Sequence, residues 1–150
     1  MTSAREAQVP EVLARALEHL FGRRVGGVRV IEYAWRTRLH GRAVATTRPG
    51  RIYLRGSARE FFANPWLVLH EYCHVLCQWQ PGRLTVPRYL LECLRRGYWN
   101  NRFEVEAREF ADLNVARLLA LLAGAPETHA PEPPPPRPPP YNTRPARPAG

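Results

Sequence analysis

Residues 65–79 read PWLVLHEYCHVLCQW and form the most apolar stretch of the 150-residue chain. Asn64 followed by Pro65 is a typical helix start, because an Asn side chain caps free backbone amides and proline fits the first helical turn. Pro81-Gly82 is a typical helix end. The pattern predicts a helix buried on most sides, with Glu71 as its only acidic or strongly basic side chain.

This predicted helix contains His70-Glu71-Tyr72-Cys73-His74, which has the form H-E-x-x-H. Residues four apart lie one turn apart on a helix, so His70 and His74 can present both imidazoles to one tetrahedral zinc ion. Glu71 lies about 100° around the helix, where its carboxylate can take a proton from an attacking water. Histidines that only fill core space are the alternative, but a buried, unpaired Glu71 would then be costly and unexplained.

A catalytic zinc usually takes a third protein ligand and keeps its fourth position open. The next strongly periodic helix starts near Asn101 and offers Glu104, Glu106 and Glu109. At 100° per residue Glu104 falls about 50° from the centre of the apolar stripe, whereas Glu106 and Glu109 lie far outside it. That stripe consists of Ala107, Ala111, Val115, Leu118 and Leu122.

Glu104 is therefore the predicted third ligand. Glu106 is the alternative if the helix has a different phase from the one that the apolar stripe indicates. Asn101 followed by Glu104 also fits a capping box, in which the acid only bonds back to the helix start. The two roles of Glu104 overlap, because a ligand in the first turn can also lie near a cap.

The segment Glu104–Ala111, EVEAREFA, resembles the E-x-E-A-x-x-F-A helix of gluzincins such as the ImmA/IrrE-type peptidases. Over about residues 41–122 the chain is also similar to the minimal zincin domain associated with extracellular contractile injection systems. The resemblance implies an α+β minimal zincin fold, with a small antiparallel or mixed sheet, and a metallopeptidase that binds Zn²⁺. It implies His70, His74 and Glu104 as zinc ligands and Glu71 as the general base.

The chain departs from the gluzincin pattern around the ligands. Arg108 occupies the place where several gluzincins have an Asp or Asn that supports the histidines, and Asp112 is a possible substitute one turn later. Cys77 shares the histidine face and is either a thiolate ligand or, as we favour, a small buried hydrophobe. Three cysteines, an odd number, indicate a reducing compartment rather than a disulfide framework.

Upstream, residues 10–21 predict an amphipathic helix closed by Gly22, and residues 28–35 predict a strand. Residues 43–47 and 51–55 flank Arg48-Pro49-Gly50 and predict a hairpin. In a zincin, the edge strand beside the H-E-x-x-H helix pairs with extended substrate. By resemblance, the predicted substrate-binding edge consists of Ile52, Tyr53, Leu54 and Arg55.

Residues 87–96 predict a further helix stopped by Gly97, so Tyr98 lies in the short link to the Glu104 helix. Tyr98 is a candidate catalytic residue, because zincin sites often use a Tyr or His to donate a hydrogen bond to the tetrahedral intermediate. The alternative is an ordinary aromatic core residue.

Composition divides the chain into an N-terminal helix (1–24), a zincin-like core (25–123) and a tail (124–150) rich in Pro and Arg. Residues 133–140, PPPPRPPP, favour an extended polyproline helix in a disordered tail, which a partner of the SH3 or WW type could bind. We favour plain disorder.

The formal net charge is +9 and all of the strongly basic residues are Arg. Arg95-Arg96-Gly97-Tyr98-Trp99 could contact nucleic acid, but the arginines are dispersed from Arg5 to Arg147, which makes nucleic-acid binding the less favoured function. No window predicts a membrane span or a signal peptide, so we expect a cytoplasmic protein. A zinc metalloendopeptidase is the predicted function; the alternative is a non-catalytic zincin-like binding or toxin-associated module.

Overall fold

The computed structural model describes residues 4–34 and 44–124. These residues form an α+β fold, as predicted, with a small mixed sheet and several helices. The predicted tail, 124–150, lies outside the described residues except for Gly124. The elements in chain order are β1 (Arg5–Ala7), α1 (Glu11–Phe21), β2 (Arg29–Glu32), β3 (Ala45–Arg48), β4 (Arg51–Leu54), α2 (Ala58–Phe62), α3 (Pro65–Cys73), a π-helical segment (His74–Trp79), α4 (Val86–Arg96) and α5 (Arg102–Leu122).

The sheet has the strand order β1-β2-β4-β3. β2 runs parallel to β4, whereas β1–β2 and β3–β4 are antiparallel pairs. The predicted hairpin is confirmed: β3 and β4 are joined at Pro49-Gly50, and Gly50 has φ 67°, which a residue without a Cβ adopts most easily. Strand β2 covers only the middle of the predicted 28–35 segment, of which Trp35 lies outside the described residues.

The prediction that Ile52–Arg55 forms the open edge of the sheet is wrong. β4 lies between β2 and β3, so it is paired on both sides, and Ile52 and Leu54 are fully buried in the core. Tyr53 pairs with Ile31 and Thr46, and the Arg55 amide donates to the Val44 carbonyl. Within the described residues, the edge beside the H-E-x-x-H helix is β3. Sequence alternation identifies a hairpin but does not say which of its strands gains a second neighbour.

One apolar core joins the sheet to α1, α2, α3 and α5. The helix ends follow their capping residues: Asn64 accepts from the Leu67 amide ahead of Pro65, and Gly22 closes α1 with φ 63°. α3 packs along α5, and β3 contacts both α3 and the π-helical segment. In the described part of the chain, no helix combines the length and the apolar character that crossing a membrane would require.

The helix widens at His74. From there the backbone forms wider turns, for example between the Gln80 amide and the Val75 carbonyl, up to Trp79. A π turn carries one more residue than an α turn, so it rotates the side chains that follow it relative to the preceding helix. This change of phase starts at the second histidine of the motif.

Candidate metal centre

Three side-chain atoms from two helices converge at one point. His70 Nε2 and His74 Nε2 lie 3.1 Å apart, and Glu104 Oε2 lies 3.4 Å from the first and 3.6 Å from the second. All three residues are buried. The packing of α3 along α5 brings the first turn of α5, which carries Glu104, over the histidine pair. The structure thus brings together the three residues that the sequence predicts as ligands, and Glu104 rather than Glu106 is the acid that faces the histidines.

These separations fit a metal ion. Zinc bound at about 2.0–2.1 Å in a tetrahedron holds its ligand atoms about 3.3 Å apart. Glu104 Oε2 also lacks a hydrogen-bond partner among the described residues, although it is buried. An orphaned carboxylate oxygen facing two imidazole nitrogens is a costly arrangement unless a cation completes it.

Charges within this cluster stabilise one another. Burial opposes ionisation of Glu104, but the His70 and His74 rings and the Tyr89 hydroxyl outweigh it and hold the pKa of Glu104 well below its ordinary value. Burial likewise opposes protonation of His74, yet Glu104 and Glu71 raise the pKa of His74. Without a metal, the carboxylates of Glu104 and Glu71 therefore favour the protonated form of His74.

Glu71 lies beside the cluster and lines the same cavity, which has a volume of about 320 Å³. Its side chain is almost wholly buried, and burial raises the pKa of its carboxyl, although the neighbouring His74 and His70 oppose the shift. A carboxyl group with a raised pKa at the wall of a cavity is a stronger base than an ordinary carboxylate and is placed to accept a proton.

Gln78 positions His74, a role that was not predicted from the sequence. Its Oε1 lies 2.7 Å from His74 Nδ1, and its Nε2 donates to the Phe103 carbonyl at 2.9 Å. Because the amide nitrogen is committed to a carbonyl, the amide oxygen faces the ring, so His74 Nδ1 carries the proton and Nε2 is left as the metal-facing atom. Gln78 is fully buried. The only sequence signal was its position one turn after His74, as the sole side-chain amide of an apolar helix.

Tyr89 holds the carboxylate ligand. Its hydroxyl donates to Glu104 Oε1 at 2.7 Å, which leaves Oε2 for the cation. Nothing in the sequence pointed to Tyr89, because the contact depends on how α4 packs back on the start of α5. Only the Asn101 half of the predicted capping box forms. Asn101 caps α5 by accepting from the Phe103 amide, but the Glu104 side chain faces the histidines instead of the Asn101 amide.

Asp112 supports His70 only through an intermediate. Its Oδ1 accepts from the Trp66 indole at 2.7 Å, and the Trp66 ring stacks on His70 with centroids 5.2 Å apart. Asp112 therefore fixes Trp66, which in turn fixes the plane of the His70 ring. Arg108 points elsewhere, to the Trp99 carbonyl and ring.

Cys77 is not part of the metal cluster, in agreement with the favoured interpretation. It lies in the π-helical segment and is half-buried against the core. A hydrogen bond with Cys73 and the nearby Arg23 lower the pKa of the Cys77 thiol to about 7, whereas the same pairing and burial raise the pKa of Cys73. Cys73, Cys77 and Cys93 are all free thiols.

Tyr98 lines the cavity and is 53% exposed, so it is not a core residue. Partial burial and the carboxylates of Glu104 and Glu71 raise the pKa of Tyr98 to about 12. Its phenol therefore keeps its proton at neutral pH and is available as a hydrogen-bond donor beside the cluster.

Two elements form the walls of the cavity on either side of the cluster. One wall is the edge strand β3 with Trp79, whose indole donates to Thr47 Oγ1 at 3.1 Å and whose ring lies under the Arg48 guanidinium. The other wall is Leu84 and α4, through Val86, Tyr89 and Leu90. The predicted substrate residues Ile52–Arg55 do not line the cavity, because β3 stands between them and the cluster.

Comparison of the chain with protein-family models, with curated proteins and with solved structures finds no match.

Proposed function

We propose that this protein is a zinc-dependent peptidase with a minimal zincin-like fold. The observation that carries the proposal is the convergence of His70 Nε2, His74 Nε2 and Glu104 Oε2 at the spacing of a tetrahedral metal, next to an open cavity. Histidine nitrogen and carboxylate oxygen in this combination are typical of catalytic zinc, and three ligands leave one position free. His70, His74 and Glu104 would hold the ion.

A bound zinc ion would supply a Lewis acid that polarises a carbonyl and lowers the pKa of water. Glu71 then acts as the general base: its carboxylate takes one proton from water as the oxygen adds to the peptide carbonyl, and returns it to the departing amine nitrogen. The sum is addition of one water across the C–N bond. The raised pKa of Glu71 supports both transfers, because it makes the carboxylate a stronger base than an ordinary glutamate toward the proton of water.

The remaining lining residues orient the substrate in this proposal. Tyr98, with its retained proton, donates a hydrogen bond to the oxygen that becomes negative during the reaction. β3 borders the cavity and, among the described residues, has a strand neighbour on one side only, so its backbone can pair with an extended peptide. Strand β3 thereby takes the role that was predicted from the sequence for Ile52–Arg55.

The test is peptide hydrolysis by wild type and by Glu71→Gln, each loaded with zinc, on a random decapeptide library read by mass spectrometry. We expect wild type to cleave library members, and Glu71→Gln to retain zinc but lose at least about 100-fold in rate, as is typical when a general base is removed. Glu109→Gln is the matched control, since Glu109 is exposed on α5. Full activity in zinc-loaded Glu71→Gln would overturn the mechanism. No cleavage by zinc-loaded wild type would leave a metal-binding module without this activity.

A further inference from the structure

We propose that α4 is a substrate-selecting wall, and that the preferred substrate is an extended, unfolded polypeptide segment with bulky apolar side chains on the side facing α4. This inference rests on the proposed peptidase function, which it deepens by naming the substrate class. It is carried by the exposed apolar face of α4 and by the continuity of that face with the cavity.

The side chains of α4 divide between two directions. At 100° per residue, Val86, Leu90 and Leu94 lie within about 80° of one another and form one stripe along the helix. The packed side is different: it carries Tyr89, which bonds to Glu104, and the buried Glu92. The apolar stripe therefore does not face the core of this domain.

The stripe is exposed to an extent that is unusual for such residues. Val86 is 44% exposed, Leu90 55% and Leu94 85%, and the adjacent Leu91 adds another 44%. Tyr98 and Trp99, which follow the end of α4 in the chain, are also exposed. A contiguous apolar surface of this kind on a water-facing helix marks a binding surface.

The position of the stripe identifies its occupant. Val86 and Leu90 line the same cavity as the histidine pair, opposite the edge strand β3, while Leu94 continues outward from them. A peptide paired with β3 would turn alternate side chains away from the strand. The peptide side chains next to Val86 and Leu90 would flank the scissile bond. If they are apolar, binding would bury apolar surface of both the peptide and α4. Folded proteins hide such side chains in their cores, so the class that fits is unfolded polypeptide.

The test compares wild type, Leu90→Gln and Leu94→Gln with the control Leu113→Gln, all zinc-loaded and full-length, on the random decapeptide library. Leu113 is 73% exposed, but it lies nine residues after Glu104 and therefore on the opposite face of α5. In parallel, zinc-loaded Glu71→Gln is used to capture library peptides without cleaving them.

We expect peptides with Leu, Ile, Phe or Met beside the scissile bond to be enriched among the cleaved and the captured molecules. For one such peptide, kcat/KM should fall about ten-fold or more in Leu90→Gln and less in Leu94→Gln, while Leu113→Gln matches wild type. Cleavage without an apolar preference, or with a preference unchanged by both α4 variants, overturns the inference and leaves the peptidase function standing.

Capture of apolar peptides without cleavage by wild type supports the α4 wall and contradicts the peptidase function. If Glu71→Gln captures no peptide and wild type cleaves none, that result contradicts both the α4 wall and the peptidase function. The competing occupant of the α4 stripe is a second copy of the chain. The inference is also overturned if sedimentation shows that wild type is a dimer, that Leu94→Gln is a monomer, and that the peptide preference is unchanged by this substitution.

Discussion

A single amide links two of the three candidate ligands. Gln78 fixes the His74 tautomer with its oxygen, and with its nitrogen it ties the helix to the Phe103 carbonyl, one residue before Glu104. The relative position of His74 and Glu104 therefore depends on one buried side chain. The sequence identified the three candidate ligands, His70 and His74 from the fixed spacing of H-E-x-x-H and Glu104 from the phase of its helix. It did not identify Gln78 or Tyr89, whose roles arise only from contacts between helices.

Replacing Gln78 by Leu should weaken zinc binding by about 10- to 100-fold, because His74 loses the acceptor that holds its ring and tautomer. Zinc affinity is measured by competition with a chromophoric chelator. Gln80→Leu is the control, since Gln80 is exposed just beyond the π-helical segment. Gln78→Glu keeps an acceptor for His74 but loses the bond to the Phe103 carbonyl, so it should recover only part of the affinity. Equal affinities in wild type and Gln78→Leu would contradict the positioning role.

Glu71→Gln should stabilise the metal-free protein at neutral pH. The folded-state pKa of Glu71 is raised, so the folded state binds its proton more tightly, and the unfolding free energy falls as pH rises from the unfolded pKa toward the folded one. A neutral amide avoids that loss, so the unfolding free energy of Glu71→Gln should exceed that of wild type at pH 7. Denaturant unfolding with chelator at pH 7 and pH 4 measures it. The advantage should shrink at the lower pH; a Glu71→Gln variant that is less stable than wild type at pH 7 would contradict the prediction.

Among the elements, most helix ends were predictable, because they depend on local chemistry. Pro65 after Asn64 starts α3, and Gly22 in the left-handed region closes α1. Gly50, also left-handed, lies in the turn between β3 and β4. The edge strand was not predictable, because pairing of β2 with β4 is a contact between distant segments. The π-helical segment, which contains Cys77, was also not predicted.

The cap of α5 does more than start a helix. Asn101 accepts from the Phe103 amide, and its Nδ2 donates to the Tyr89 carbonyl and to Cys93 Sγ, so it joins α4 to α5. Through this link Tyr89 is held where its hydroxyl reaches Glu104.

Asn101→Ala should therefore destabilise the protein more than Asn64→Ala does. Loss of an exposed N-cap costs about 1 kcal/mol. Asn101 is fully buried, and its removal also leaves buried polar groups without partners, which adds about 1–3 kcal/mol. Chemical denaturation of both variants, metal-free, provides the comparison. Equal losses for the two caps would show that the link between α4 and α5 contributes nothing.

At the scale of the whole molecule, we expect metal binding to compete with protons. Glu104 and Glu71 raise the pKa of His74, so a proton occupies the metal-free site up to a higher pH than for an ordinary histidine. The metal must displace this proton. Zinc affinity should consequently fall about ten-fold for each pH unit below the folded pKa of His74 and level off above it.

Chelator competition between about pH 5 and pH 8 measures that slope. His19→Gln, a change on the surface of α1, is the control and should leave the slope unchanged. An affinity that does not vary with pH in this interval would contradict a ligand role for His74.

The fold has no separate lobe in its described residues to close the cavity, and α4 takes the position of an opposing wall. The α+β class followed from the predicted strands and helices and from the zincin resemblance, and the three candidate ligands followed from spacing and phase within helices. The walls of the cavity did not, since they depend on how β3 and α4 pack around the ligand helix.

The zinc content of purified protein tests the central claim most directly, measured by elemental analysis of wild type, Glu104→Ala and Glu106→Ala. Glu106 is the matched control: it lies on the same helix but pairs with Arg83 instead of facing the histidines. We predict about one zinc per chain in wild type and in Glu106→Ala, and a loss of most of it in Glu104→Ala. Folded wild type without zinc after incubation with the ion, or equal zinc in all three proteins, would contradict the three-ligand site.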